Sequence, residues 1–448
     1  MTQDPVTPDP TTRPGAVGTQ SRFSLWSVRG YLATLIALAC AFGAWSLLLP
    51  LLPTAVISGG GSATLAGATT GVFMLATVAT QAVTPRLLRA FGYRPVMAAA
   101  AFTLGVPALG HMLGIEPVVA LGFSALRGVG FGALTVSQSA FIAEIVPLRF
   151  LGQATGVMGF FIGAAQMICL PAGLAIAQRW DYGAAYMVAA ALGGVGMVLC
   201  LRLPALRPAA SAAAAAHEET GQVRTDGRTT QGAERPYFWR LVLVPALSVT
   251  ALSMSYGVIS AFLPAAVRGI DVERGVVLGG AMLGIVGGAS MMSRYVAGRI
   301  ADRSGRPGQL MGPGLAVGIG GMALLAAGLS LGWSVWTLVG GAILFGLAFG
   351  VVQNEALLAM FARVQRGQLS EASAVWNSFY DGGTGIGSVI LAAFVTGTAT
   401  ADYAKAFWAG AALVAGGLAM ALLDAYLGAH RVVERDNMKT RLSRLRKV

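Results

Sequence analysis

The sequence predicts an all-α membrane protein with twelve transmembrane helices in two pseudo-symmetric six-helix halves. Composition is the first reason. Mean hydropathy is +0.69, apolar residues make up 55% and charged residues 11%, where soluble chains carry about a quarter charged. Length is the second, since twelve apolar runs each approach the roughly 20 residues that an α-helix needs to cross a bilayer. The third is that the second six runs repeat features of the first.

The runs fall at 30–53, 64–84, 96–115, 118–145, 152–178, 182–203, 238–265, 276–297, 309–332, 334–360, 371–397 and 402–428. Connections that follow the even-numbered spans, with both tails, hold most of the arginines, among them Arg86, Arg149, Arg207, Arg299 and Arg363. The opposite loops hold only Arg179, Arg268, Arg274 and Lys405. Cationic loops stay on the cytoplasmic side, so both termini are expected there. The net charge of +12 is read as topology, and nucleic acid is excluded as a partner, because the charge is spread over short loops with no soluble domain to present it.

Residues 1–28 are rich in Thr and Pro, with Asp4 and Asp9 ahead of any apolar run, and read as a disordered cytoplasmic tail rather than a cleavable signal. Residues 29–203 make the first half and 237–428 the second. Between them, 204–236 carry an Ala-rich run and then a Gly, Thr and Arg mixture, the composition of a flexible cytoplasmic linker. Residues 429–448 form a basic cytoplasmic tail. Cys40, Cys169 and Cys200 are too few and scattered for a disulfide framework or a metal site, and read as packing residues.

Matching residues recur in a common order and at nearly constant spacing. Leu52-Pro53-Thr54-Ala55-Val56 in span 1 matches Leu263-Pro264-Ala265-Ala266-Val267 in span 7, and Gly92 with Arg94-Pro95 matches Gly305-Arg306-Pro307. Phe131-Gly132 in span 4 matches Phe349-Gly350 in span 10, and Ala154 and Val157 in span 5 match Ala372 and Val375 in span 11. A duplicated six-helix unit leaves this kind of trace.

The loop between spans 8 and 9 reads Gly-Arg-Ile-Ala-Asp-Arg-Ser-Gly-Arg-Pro from Gly298 to Pro307. Its Gly298, Asp302, Arg303, Gly305 and Arg306 fill every fixed position of a Gly-x-x-x-Asp-Arg-x-Gly-Arg pattern, so it resembles the signature loop of the major facilitator superfamily. The resemblance covers about residues 30–428. It includes Arg127 to Gly132, which is similar to the superfamily's Arg-x-x-x-Gly element with the glycine spacing one residue off. Gly163 and Pro171-Ala172-Gly173 resemble a worn form of the glycine and proline motif of proton-driven exporters, with Leu170 in place of the expected glycine.

The resemblance implies the major facilitator fold, a small-molecule cargo held between the halves near mid-membrane, and alternating access. It also implies that the signature loop closes the cytoplasmic side by setting Asp302 against a helix amino terminus near Gly152 and Gln153, where the helix dipole favours negative charge. The first-half copy departs from the pattern. Aligned on Gly92, it has Arg89 in the place of the acid and Pro85 in the place of the first glycine. Span 11 begins with Glu371, so Arg89 and Glu371 are expected to pair as a charge-swapped latch; a decayed copy with a solvated Arg89 is the open alternative.

Charges inside the hydrocarbon are the sharpest functional clue, since one at a helix centre costs about 2.5–3.5 kcal/mol even on the mild insertion scale. Arg127 lies about 13 Å into span 4 at 1.5 Å per residue, Asp381 lies at similar depth in span 11, and Glu355 sits closer to the cytoplasmic end of span 10. Arg294 and Glu144 are placed near helix ends, where long side chains can snorkel. Asp381, followed by Gly382, Gly383, Gly385 and Gly387, is the first candidate for a proton-coupling acid and Glu355 the second, because a carboxylate in a low-dielectric crevice can take up and release a proton as the crevice opens to each side. A permanent pairing with an arginine, or capping by backbone groups, is the structural alternative for both. Arg127 is a candidate for binding an anionic group or relaying proton occupancy, against a structural bond to a carbonyl of span 1 or span 5.

Trp45, Gln138, Phe161, Gln166, Tyr256, Asn354, Trp376, Asn377 and Tyr380 complete the candidate cavity. Aromatics with sparse amides suit an amphipathic cargo better than a sugar or nucleotide. For each of them helix packing is an equal alternative. No metal-ligand spacing, nucleophile with a base, or phosphate-binding Gly-x-x-x-x-Gly-Lys loop is present. No enzyme activity, metal or cofactor is therefore expected, and an ion gradient is the expected energy source.

The leading expectation is proton-coupled export of a small amphipathic compound; import of an organic anion or nutrient, with Arg127 as clamp, is the alternative. Partners are then the cargo, protons and the bilayer. One chain supplies both halves, so a monomer suffices. Sparse Lys beside abundant Arg points to a bacterial source and hence to its plasma membrane.

Overall fold

The computed structural model describes residues 24–208, 238–270, 275–395 and 400–427; the expectations for most of both tails and most of the linker lie outside the described residues. The described chain is helical without strands. Twelve long segments follow in order: α1 (Tyr31–Ser58), α2 (Ala63–Phe91), α3 (Tyr93–Leu113), α4 (Pro117–Ile145), α5 (Leu151–Arg179) and α6 (Tyr182–Leu201). The second half holds α7 (Phe238–Ile270), α8 (Gly275–Ser304), α9 (Met311–Leu331), α10 (Val335–Arg363), α11 (Leu369–Ile390) and α12 (Thr400–Leu427). Pro50 interrupts α1 between Leu48 and Leu51, because proline has no N–H to give the preceding turn.

Among the described residues, ten of these helices are long and apolar enough to be read as membrane spans, and α11 falls short. That shortfall has a physical reason. α11 runs along the boundary between the halves, as α8 does, so its polar residues Ser373, Asn377 and Asp381, like Ser290, Ser293 and Arg294 on α8, have a protein-facing side available.

The repeat is visible in packing as well as in sequence. Gly128 and Gly132 of α4 lie against the carbonyls of Phe73 and Thr77 of α2, while Gly346 and Gly350 of α10 lie against those of Val286 and Ser290 of α8. A methyl group at any of the four would run into backbone, so both crossings depend on a small-xxx-small spacing. Between the halves, α5 packs on α8 and α2 on α11. These two crossings are equivalent under the repeat.

One loop cation proves to be buried. Arg363, read above as part of the basic connections, is the last residue of α10 and forms a 2.6 Å ion pair with Asp424 of α12, each side chain 7% exposed. It also donates to the Leu241 carbonyl at 3.3 Å, tying α7, α10 and α12 together.

Candidate translocation site between the halves

At the end of the bundle that carries the α2–α3, α4–α5, α8–α9 and α10–α11 turns, two polar contacts join the halves. Asp302 accepts the backbone N–H of Gly152 at 2.7 Å and of Gln153 at 2.6 Å, satisfying two donors of the first turn of α5 that have no partner within the helix. Gly298 and Gly152 meet backbone to backbone, which explains the glycine that opens the motif. Gly305 turns the chain at φ +60°, and Arg303 and Arg306 are exposed. On the equivalent crossing, Arg89 of α2 forms an ion pair with Glu371 in the first turn of α11.

Further in, the halves are joined by polar contacts. Thr155 donates to Asn354 Oδ1 at 2.9 Å, Ser373 to the Val136 carbonyl at 2.7 Å, and Asn377 to the Thr135 carbonyl at 3.2 Å. The deepest is Gln81 of α2, whose Nε2 donates to Asp381 at 2.5 Å and to Thr135 Oγ1 at 3.2 Å. Among the described residues, no hydrogen bond or ion pair joins the halves beyond this layer. Asp381 is half-buried and has a neutral amide partner, and is in none of the described ion pairs.

Above the layer each half presents an aromatic pair. Trp45 stacks on Phe131 at 4.9 Å and 23°, and Tyr256 stacks on Phe349 at 4.7 Å and 18°. Phe131 and Phe349 are repeat partners, so the pairs are equivalent. In the second half the stack continues from Phe349 through Tyr380 at 5.9 Å to Trp376 at 5.3 Å. Trp376 is buried, its indole donating to the Gln353 carbonyl at 3.2 Å, and so braces the stack. Phe161 and Gln166 are half-buried on α5; Gln138 is buried with no partner for its Oε1.

Three of the charges have surroundings that only the structure specifies. Arg127 is 3% exposed and donates from Nε to the Leu104 carbonyl of α3 at 3.1 Å, rather than to span 1 or span 5. Its Cζ stands 5.9 Å from the Phe73 ring centroid, one Nη has no partner, and it lines a small cavity with Trp45, Thr69, Phe73 and Ser124. Glu355 is fully buried, but its Oε2 accepts the Leu310 N–H at 3.0 Å at the start of α9, which fits the backbone-capping alternative. Arg294 does not snorkel. It is half-buried on α8, donates to Gln353 Oε1 at 2.8 Å, and packs over Gly159 of α5.

The major facilitator superfamily model matches residues 34–388. The chain belongs to the major facilitator superfamily. Its members are transporters, so this is a multi-pass membrane transporter with a small-molecule cargo. A stretch of 129 residues is 33% identical to the multidrug resistance protein fnx1 of Schizosaccharomyces pombe, spanning 28% of this chain and only 24% of that relative's length. Solved structures with the same fold include the human organic anion transporter MFSD10 (17% identity, TM-score 0.64, 88% of this chain and 99% of that one). Two others are a bacterial homologue of the iron transporter ferroportin (12%, 0.67, 88% and 99%) and the proton:xylose symporter XylE (16%, 0.66, 89% and 95%). At these identities the likeness speaks for the fold alone.

Within this superfamily fold, the sequence reading missed Gln81 and underrated Arg294. A signal existed for both. Each is a strongly polar residue inside a long helix, and the spacing that overlays Asp302 on Arg89 also overlays Arg294 on Gln81.

Proposed function

We propose that the protein is a proton-coupled exporter of a small amphipathic compound, working by alternating access as a monomer in a bacterial plasma membrane with both termini in the cytoplasm. In that orientation the latched end faces the cytoplasm and the crevice opens outward. The observation that carries the proposal is the Gln81–Asp381 bond. It crosses between the halves at the deepest point where they touch, so protonating Asp381 changes the contact that opening must break. Asp381 is the coupling acid. Glu355, fixed to the start of α9, holds the latch end in shape.

Latching by Asp302 and by the Arg89–Glu371 pair stabilises the outward-open state. Arg127, Trp45, Tyr256, Tyr380 and their neighbours form the cargo surface, where aromatic faces accept apolar bodies of varied shape. The partial match to a multidrug resistance protein favours export.

A susceptibility panel in a host stripped of its own exporters tests this. The wild type should protect against at least one amphipathic toxin and Asp381→Asn should not. Equal protection by the variant rejects the coupling role, and sensitisation by the wild type marks an importer.

A further inference from the structure

The charges inside the bundle do not balance. Arg363 and Asp424 neutralise each other, and Glu355 is taken up by the α9 start. Away from the helix ends, where Glu144 lies, that leaves one acid, Asp381, and two guanidinium groups, Arg127 and Arg294. Among the described residues neither arginine has a carboxylate within ion-pair distance.

The repeat shows what Arg294 lacks. The spacing that carries Arg89 onto Asp302 and Pro85 onto Gly298 carries Gln81 onto Arg294. The spacing that carries Phe131 onto Phe349 and Ala154 onto Ala372 carries Thr135 onto Gln353 and Gly163 onto Asp381. The first crossing therefore reads Gln81, bonded to Thr135 within its own half and to Asp381 across the boundary. The second reads Arg294, bonded to Gln353 within its own half, with Gly163 where the acid would stand. Arg294 Nε is buried and has no acceptor. Gly159 leaves just enough room for the guanidinium, and Gly163 faces Met291 one turn earlier in α8. An arginine held in a low-dielectric boundary with only a neutral partner is costly, and a charge kept there marks a site for an opposite charge that comes and goes.

We propose that Arg294, with Gln353, anchors an acid group on the transported molecule, so that the cargo is an amphipathic organic anion whose apolar body lies on the Tyr256, Phe349 and Tyr380 faces. The guanidinium supplies a planar fork that suits a carboxylate or sulfonate. Gln353 holds the fork at the edge of the aromatic stack, its side-chain oxygen bonded to Arg294 and its carbonyl to the Trp376 indole. This deepens the transport reading, on which it rests only for the cargo reaching the crevice; it needs neither proton coupling nor a direction.

The test is equilibrium dialysis of the purified full-length protein with radiolabelled naphthalene-1-carboxylate and with its methyl ester. The wild type should bind the acid at least about tenfold more tightly than the ester. Arg294→Gln should remove that preference while leaving ester binding, and Arg294→Lys should keep part of it. Gly163→Asp builds in the missing acid, and should block the carboxylate but not the ester. Equal affinities in the wild type, a preference that survives Arg294→Gln, or no carboxylate binding at millimolar concentration overturns the proposal. Should Arg294→Gln not fold, Gly163→Asp decides by the same comparison. If the acid preference holds while Asp381→Asn still protects cells, only the proton-coupling reading fails; a coupled exporter with no acid preference fails this inference alone.

Discussion

Replacing Asp302 by Asn keeps the shape of the latch and removes its charge. The carboxylate makes bonds of 2.7 and 2.6 Å to the Gly152 and Gln153 N–H groups at the start of α5. A negative charge at a helix amino terminus contributes about 0.3–1 kcal/mol, rising to ~2 when partly buried. The amide can accept from only one of the two donors in this geometry, which costs about 1 kcal/mol more. A combined loss of about 2 kcal/mol shifts the closed-to-open ratio by about 30-fold. A latch closed in about 99% of molecules would then be closed in about 80%. Spin labels on Arg94→Cys and Gln365→Cys, exposed positions of opposite halves at the latch end, report this as a new long-distance population, with Cys40, Cys169 and Cys200 first replaced by alanine. An unchanged distance distribution in Asp302→Asn, or a smaller shift in Asp302→Ala than in Asp302→Asn, would refute the capping argument.

Other outcomes follow from the same contacts. Arg89→Glu and Glu371→Arg should each lower transport, and the double reversal should restore most of it; a double variant no better than either single one removes the pairing from the mechanism. Arg363→Ala leaves Asp424 as an uncompensated buried charge, and should cost about 3–5 kcal/mol in thermal unfolding, whereas Arg363→Met with Asp424→Leu should recover most of that. Gly298→Val should open the latch end without unfolding the protein, because a side chain there meets the Gly152 backbone; the distance assay above should then resemble or exceed the Asp302→Asn result. An α5–α8 separation unchanged by valine would show that the glycine is not needed for closure.

The fold was legible because hydrophobic length, charge asymmetry between loops and internal repetition all pointed to one architecture. The contacts of Asp302 and Arg89 were legible too, since a motif position and its swapped counterpart named both partners before any distance was known. Depth was harder. Predicted span 8 ended at residue 297, which put Arg294 near the interface, but α8 continues to Ser304, with Gly298 and Asp302 of its last turns against the start of α5. Predicted span 10 ended at 360, so Arg363 was counted with the loops, although α10 extends to it. Hydropathy marks where a helix stops being greasy, and helices at an internal boundary stop being greasy before they stop.

Partners across the boundary were hardest of all. The sequence placed Asp381 in mid-membrane, but only the register of α2 against α11 could say that an amide, Gln81, meets it. Glu355 shows the reverse case: its burial was foreseeable, while its bond to the Leu310 N–H depends on how the α8–α9 turn folds back.

The central claim is that the protonation of Asp381 governs which side is open. Spin labels on Ile57→Cys and Trp333→Cys, exposed at the unlatched end of opposite halves, measure that opening without any cargo. Taking the reconstituted protein from about pH 8 to about pH 5 should redistribute the distances in the wild type, and Asp381→Asn should hold one distribution at both values. A pH response that persists in Asp381→Asn would contradict the account.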